Sequence, residues 1–138
     1  MDNQKIIFLD KVTSWVSTQT DIIALILVGS CATGTDTSSS DIDLVLITRN
    51  PQAYIRSSAW VQVFGCIERK QTEHYGKLTS LRVFYSNGPE MEFGITDKSW
   101  IALPLDEGTL GVLRNGSSVL CERDASISEI INSVQYLQ

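Results

Sequence analysis

The chain has 138 residues, 43% hydrophobic and 20% charged, with a formal net charge of −5; that is the balance of a globular fold, long enough for one genuine core and short for two. Its longest strongly apolar run, Ile22 to Val28, falls far short of the roughly 20 residues that a membrane-spanning helix requires. The acidic balance argues against broad attraction to a polyanion such as duplex DNA, since that affinity comes from Lys and Arg neutralising phosphates.

The opening "MDNQKIIFLDK" places an acid and amides where a secretory leader would carry positive charge, so a cytoplasmic location is expected. Cys31, Cys66 and Cys121 are odd in number and widely spaced. They predict free thiols, two of them in or near the core, rather than a disulfide framework or a zinc site.

In chain order, Phe8, Leu9, Val12, Trp15 and Val16 recur at helical spacing and predict an amphipathic helix over residues 4–18. Ile22 to Val28 is a continuous apolar run of strand length, as in a strand buried on both faces. Gly29-Ser30 ends it, and a short helix or turn follows. Asp41 to Thr48 begins as alternating acid and aliphatic residues and becomes fully apolar, which predicts a second central strand.

Asn50-Pro51 reads as a cap and first turn, opening a helix through about Phe64 that buries Tyr54, Ile55, Trp60, Val61 and Phe64, with Gly65 as its stop. Cys66 to Lys70 reads as a strand. The polar segment "QTEHYGK" that follows reads as a loop exposing His74. Leu78 to Tyr85 and Met91 to Thr96 are β-rich runs around Asn87-Gly88, a strong turn signal, and predict an antiparallel hairpin. The remainder predicts a short helix over 106–114, a short strand over 118–121 and a terminal helix over 126–137 capped by Asp124 or Ser126. The three tryptophans read as packing groups, and Glu68-Arg69-Lys70 with Lys77 and Arg82 as a solvated, salt-bridged strand face.

The chemistry concentrates between the two central strands. Side chains at i and i+2 of a strand share a face, about 6.6 Å apart at roughly 3.3 Å per residue, so Asp41 and Asp43 point the same way while Ile42 and Leu44 point to the core. That separation suits two carboxylates bracketing a pair of cations about 3.5–4 Å apart. Met91-Glu92-Phe93 repeats the pattern of an acid between apolar residues. If its strand lies beside that of Asp41, three carboxylates converge.

Two such charges about 6 Å apart repel by roughly 3 kcal/mol at an effective dielectric near 20, so the cluster calls for cations or protons. Oxygen donors without His or Cys point to Mg²⁺ or Mn²⁺. Gly29 after a buried strand lets backbone approach a ligand closely, while the N–H groups opening the next turn and the Ser30 hydroxyl are donors for phosphate.

Gly29-Ser30, ten residues, Asp41-Ile42-Asp43, an apolar strand and a later Met91-Glu92-Phe93 together resemble the nucleotidyltransferase superfamily typified by DNA polymerase beta, in its minimal and antibiotic-modifying branch. The matching motifs span about residues 22–96, with an extension over 104–138, and the resemblance implies one nucleotidyltransferase domain over 1–138. It implies an α/β (α+β) fold with a small mixed sheet and helices mainly on one face. It further implies that Asp41 and Asp43 bind two divalent ions, that Glu92 is the third catalytic carboxylate and metal ligand, and that Gly29 and Ser30 hold a nucleoside triphosphate, ATP being the expected donor.

Two departures from the superfamily pattern stand out: the third acid is commonly Asp and is Glu92 here, and Cys31-Ala32-Thr33-Gly34 stand where many relatives place an Arg. The implied reaction moves a nucleoside monophosphate onto a hydroxyl. About forty residues follow position 96, so the acceptor's wall is expected from elsewhere. The resemblance to minimal antitoxin nucleotidyltransferases implies a helical toxin partner of the HEPN type that becomes adenylylated. A homodimer modifying a small molecule such as an antibiotic is an alternative, with Ile127, Ile130, Ile131, Val134 and Tyr136 as the expected contact surface. A catalytically inactive nucleotide-binding or inhibitory module is another.

Overall fold

The computed structural model describes residues 1–136. Six strands form one sheet in the order β3-β4-β5-β2-β1-β6, and every neighbouring pair is antiparallel except the central β2 and β5, which run parallel. In chain order the elements are α1 (Asn3–Ser17), β1 (Ile22–Val28), α2 (Ser30–Thr33), β2 (Ile42–Thr48), α3 (Pro51–Arg56), β3 (Ile67–Tyr75), β4 (Leu78–Tyr85), β5 (Glu90–Thr96), α4 (Glu107–Arg114), β6 (Ser117–Glu122) and α5 (Ser126–Tyr136). Short 3-10 turns occupy Ala59–Val63 and Lys98–Ile101. The expected mixed sheet with flanking helices is therefore present.

The strand alternation divides the apolar residues into two cores. Leu25, Leu27, Ile42, Leu44, Leu46, Met91, Phe93 and Ile95 face α1, α3 and the Ala59–Val63 turn, where Phe8, Val12, Val16, Tyr54 and Phe64 meet them. Aromatic rings seal this face: Trp15 stacks on Trp60 at 5.1 Å between centroids, and Trp60 meets Phe93 edge-on at 4.9 Å. The opposite face buries Ile23, Ile26, Val28, Val45 and Ile47 beneath Trp100, Ile101, Leu113, Ile127, Ile131 and Val134. Helices thus cover one face broadly and only the β1, β2 and β6 side of the other, which is more helix on the second face than the sequence suggests.

Local chemistry accounts for most boundaries. Asp2 caps α1 by accepting from the Lys5 N–H at 2.9 Å, and Asp106 caps α4 by accepting from Thr109 N–H at 2.8 Å. Asp124 Oδ1 accepts from the Ser126 N–H at the start of α5; residue 137, the expected end of that helix, lies outside the described residues.

Three expectations are corrected. The helix expected through Phe64 stops at Arg56, and the chain resumes as a 3-10 turn after Ser57-Ser58; Asn50 stands at the N-cap as expected, but its side chain makes no capping bond and its amide donates to Asp21 Oδ2 instead. The strand expected over 66–70 continues to Tyr75, so His74 is exposed on a strand, paired with Thr79, rather than on a loop. Ile127, Ile131 and Val134, expected at a subunit contact, are spent in the second core because α5 needs an apolar face to dock on the sheet.

Candidate active site

The parallel pairing of β2 with β5 sets Ile42 beside Met91 and Asp43 beside Glu92. Since the apolar partners point into the aromatic core, the acids must emerge on the other face, where α4 and α5 leave the sheet partly open. Asp41, just before β2, completes the group: each of Asp41, Asp43 and Glu92 offers an oxygen within 4.8 Å of those of the other two. The predicted convergence of three carboxylates is present in the geometry.

Their environments differ. Oδ1 of Asp43 is buried and has no hydrogen-bond partner. Burial, then the neighbouring Asp41 and Glu92 carboxylates, push Asp43 up to about 8 from its ordinary 3.8. Glu92 is held at both oxygens from β4, where the Ser80 hydroxyl donates to Oε1 at 2.7 Å and the Arg82 guanidinium pairs with Oε2 at 3.2 Å. Three carboxylates without His or Cys, one of them with an orphaned buried oxygen, form a donor set suited to a hard divalent cation.

Gly29 lies at the end of β1 beside Asp43 and has φ +73° and ψ −158°, a conformation that essentially only glycine adopts. A Cβ there would stand 2.5 Å from Asp43 Oδ2. Gly29 therefore makes room for the carboxylate itself, a role additional to the close ligand approach read from sequence. Ser30 opens α2 directly after it, and Cys31 is buried behind the turn with its thiol 3.5 Å from the Asp41 carbonyl.

The connection between α2 and β2 is tethered from α1. Lys5, almost fully buried, pairs with Asp36 at 3.2 Å and donates to the Thr37 carbonyl at 2.6 Å.

Beside the acids runs a cleft of about 730 Å³, with Gly29, Asp43 and Glu92 in its lining. Val28, Val45, Leu78 and Trp100 give it apolar walls, Tyr75 to Lys77 of the β3–β4 turn border it, and Thr109, Val112 and Asn115 bring α4 to its side. Its size is in the range of small-molecule sites, about 300–1,000 Å³.

The family profile "Polymerase beta, Nucleotidyltransferase" matches residues 10–90. The chain belongs to this nucleotidyltransferase family. The matched span includes Gly29, Ser30, Asp41 and Asp43 and ends before Glu92, whose place beside them comes from the sheet register. Among solved structures, an aminoglycoside 6-adenyltransferase from Bacillus subtilis is similar at 14% identity and a TM-score of 0.51, over 70% of this chain and 35% of that one. The likeness is one of fold, and the chain spans about a third of that structure's length. No curated protein matches the chain by sequence.

Two members of this cluster escaped the sequence reading. Arg82 belongs to the acid cluster, pairing with Asp41 at 3.5 Å and Glu90 at 3.3 Å as well as with Glu92. Glu90 joins through it; its i, i+2 spacing to Glu92, the same as that of Asp41 to Asp43, was the available signal.

Proposed function

We propose that residues 1–138 act as one nucleotidyltransferase domain, with a motif core over 22–96 and an extension over 104–138, moving AMP from ATP onto a hydroxyl acceptor. The observation that carries this reading is the meeting of Asp41, Asp43 and Glu92 beside Gly29, with Gly29, Asp43 and Glu92 lining a largely apolar cleft. Asp41 and Asp43 would hold two Mg²⁺ or Mn²⁺ ions, with Glu92 completing the set. Bound there, the ions supply charge neutralisation for both the attacking and the departing oxygen of an in-line displacement.

The chain's own groups account for the rest. The Gly29-Ser30 turn presents backbone N–H groups and a hydroxyl to the triphosphate. The acceptor hydroxyl attacks the α-phosphorus, the bond to the bridging oxygen breaks and pyrophosphate leaves with its electron pair. Glu92, which borders the cleft, would take the acceptor's proton once released from Ser80 or Arg82. The apolar walls exclude water, the competing acceptor.

Family membership and the likeness to an aminoglycoside adenyltransferase support nucleotide transfer. For the acceptor we favour a hydroxyl on a partner protein, in the manner of an antitoxin acting on its toxin. A cleft with its own α4 wall also favours a second reading, transfer to a small hydroxylated molecule.

The test is binding of a non-hydrolysable ATP analogue with and without Mg²⁺. Binding should require Mg²⁺ and drop at least about a hundredfold in Asp41→Asn/Asp43→Asn; Mg²⁺-independent or absent binding removes the enzyme reading. Mass spectrometry of co-purified partners and of small molecules incubated with ATP then separates the acceptors by which one gains a nucleotide.

A further inference from the structure

Four carboxylates, Asp41, Asp43, Glu90 and Glu92, crowd the sheet face at the starts of β2 and β5, and among the described residues Arg82 is the one cation in ion-pair contact with them. β4 sets Arg82 directly across from Glu92. One guanidinium nitrogen spans Asp41 Oδ2 at 3.5 Å and Glu90 Oε1 at 3.3 Å, while the other meets Glu92 Oε2 at 3.2 Å. Lys77, a basic residue in the cleft's lining, is turned to the Ser99 carbonyl.

We propose that Arg82 is a resident counter-cation: its fork ties Asp41 and Glu92 together before any ion arrives, and a divalent cation entering the cluster must compete with it for those same oxygens. The proposal rests on reading Asp41, Asp43 and Glu92 as a divalent-cation site. The physical basis is the planar fork of the guanidinium, whose nitrogens bridge three carboxylates that would otherwise repel one another. Arg82 makes no ion pair with Asp43, whose buried Oδ1 has no hydrogen-bond partner, so the guanidinium ties the outer acids and leaves the inner one uncompensated. Arg82 is on this account a positioning residue that trades ion affinity for order in the ion-free protein.

The experiment titrates the full chain with Mn²⁺ alone, followed by electron paramagnetic resonance, for wild type, Arg82→Gln and Arg82→Lys, alongside thermal melts in chelator and in saturating Mn²⁺. Arg82→Gln should bind Mn²⁺ about tenfold more tightly, melt at a lower temperature in chelator, and recover toward wild type when Mn²⁺ is saturating. Arg82→Lys keeps the charge without the fork and should fall between the two; it carries the test by itself should the Gln variant not fold. Mn²⁺ affinity unchanged or weakened in these variants, with wild type binding normally, overturns the counter-cation role alone. A wild type that binds no Mn²⁺ overturns the cation-site reading and this proposal with it.

Discussion

Phe93 and Glu92 are neighbours on one strand and do opposite work. Phe93 points into a face sealed by Trp15, Trp60 and Phe64, with ring contacts at 4.9 and 6.0 Å to Trp60 and Phe64. Glu92 points to the face that α4 and α5 leave open, among like charges and a single guanidinium. The two-residue period of the strand lets the sheet be tightly stabilised on one side and electrostatically frustrated on the other, without one compromising the other.

The comparison predicts that substitutions on the sealed face are felt in stability and those on the open face in ligand binding. Phe93→Ala, at a fully buried site, should cost about 3–5 kcal/mol, seen as a lower urea midpoint. Should Phe93→Ala leave the midpoint in place, the sealed face is not what holds the sheet.

Asp43→Asn probes the other side with the opposite sign. The folded chain holds the Asp43 proton more tightly than the unfolded chain, since its value rises from 3.8 to about 8. The stability that this proton contributes is fully present below about pH 4 and is lost as the pH rises to about 8. The variant should therefore be more stable than wild type at pH 8, on the order of 2 kcal/mol after solvent screening, with the gap shrinking by pH 5. Urea unfolding of both proteins at the two pH values checks it, and equal pH slopes contradict the frustrated-face account.

Gly29→Ala combines both effects, since the new methyl meets Asp43 Oδ2 and the backbone must leave a glycine-only conformation. It should cost about 1–2 kcal/mol and weaken Mg²⁺-dependent nucleotide binding roughly tenfold, measured calorimetrically. At the small end, Lys70→Ala on the exposed β3, where the ammonium donates to the Ser58 hydroxyl at 2.7 Å, should change stability by less than about 0.5 kcal/mol and binding not at all. A clear loss of nucleotide binding there would make the β3 strand an anion surface after all.

What could be read from residues follows the same division. Strands β1 and β2 and helices α1, α4 and α5 announced themselves because a buried face imposes a period, and the acid-apolar alternation at Asp41 to Leu44 and Met91 to Phe93 placed three carboxylates on one side. The length of β3 was hidden because an edge strand with both faces wet carries no such period: Glu68 to His74 are almost all polar. The break at Ser57-Ser58 was hidden because Trp60 and Val61 satisfy an apolar face equally well from a 3-10 turn. Arg82 looked like an ordinary surface charge, and only the β4–β5 register shows which acids it meets.

The parallel register of β2 with β5 also sets which acids are neighbours in sequence and which meet only through the fold. Asp43 and Glu92 lie about fifty residues apart, and no tight turn can join parallel neighbours, so their meeting closes a long loop that contains the β3–β4 hairpin. A partly synthesised chain would offer a passing ion only the pair at 41 and 43. An ion held by all three acids would thus require the middle of the polypeptide to be in place, which ties such a site to the completed sheet.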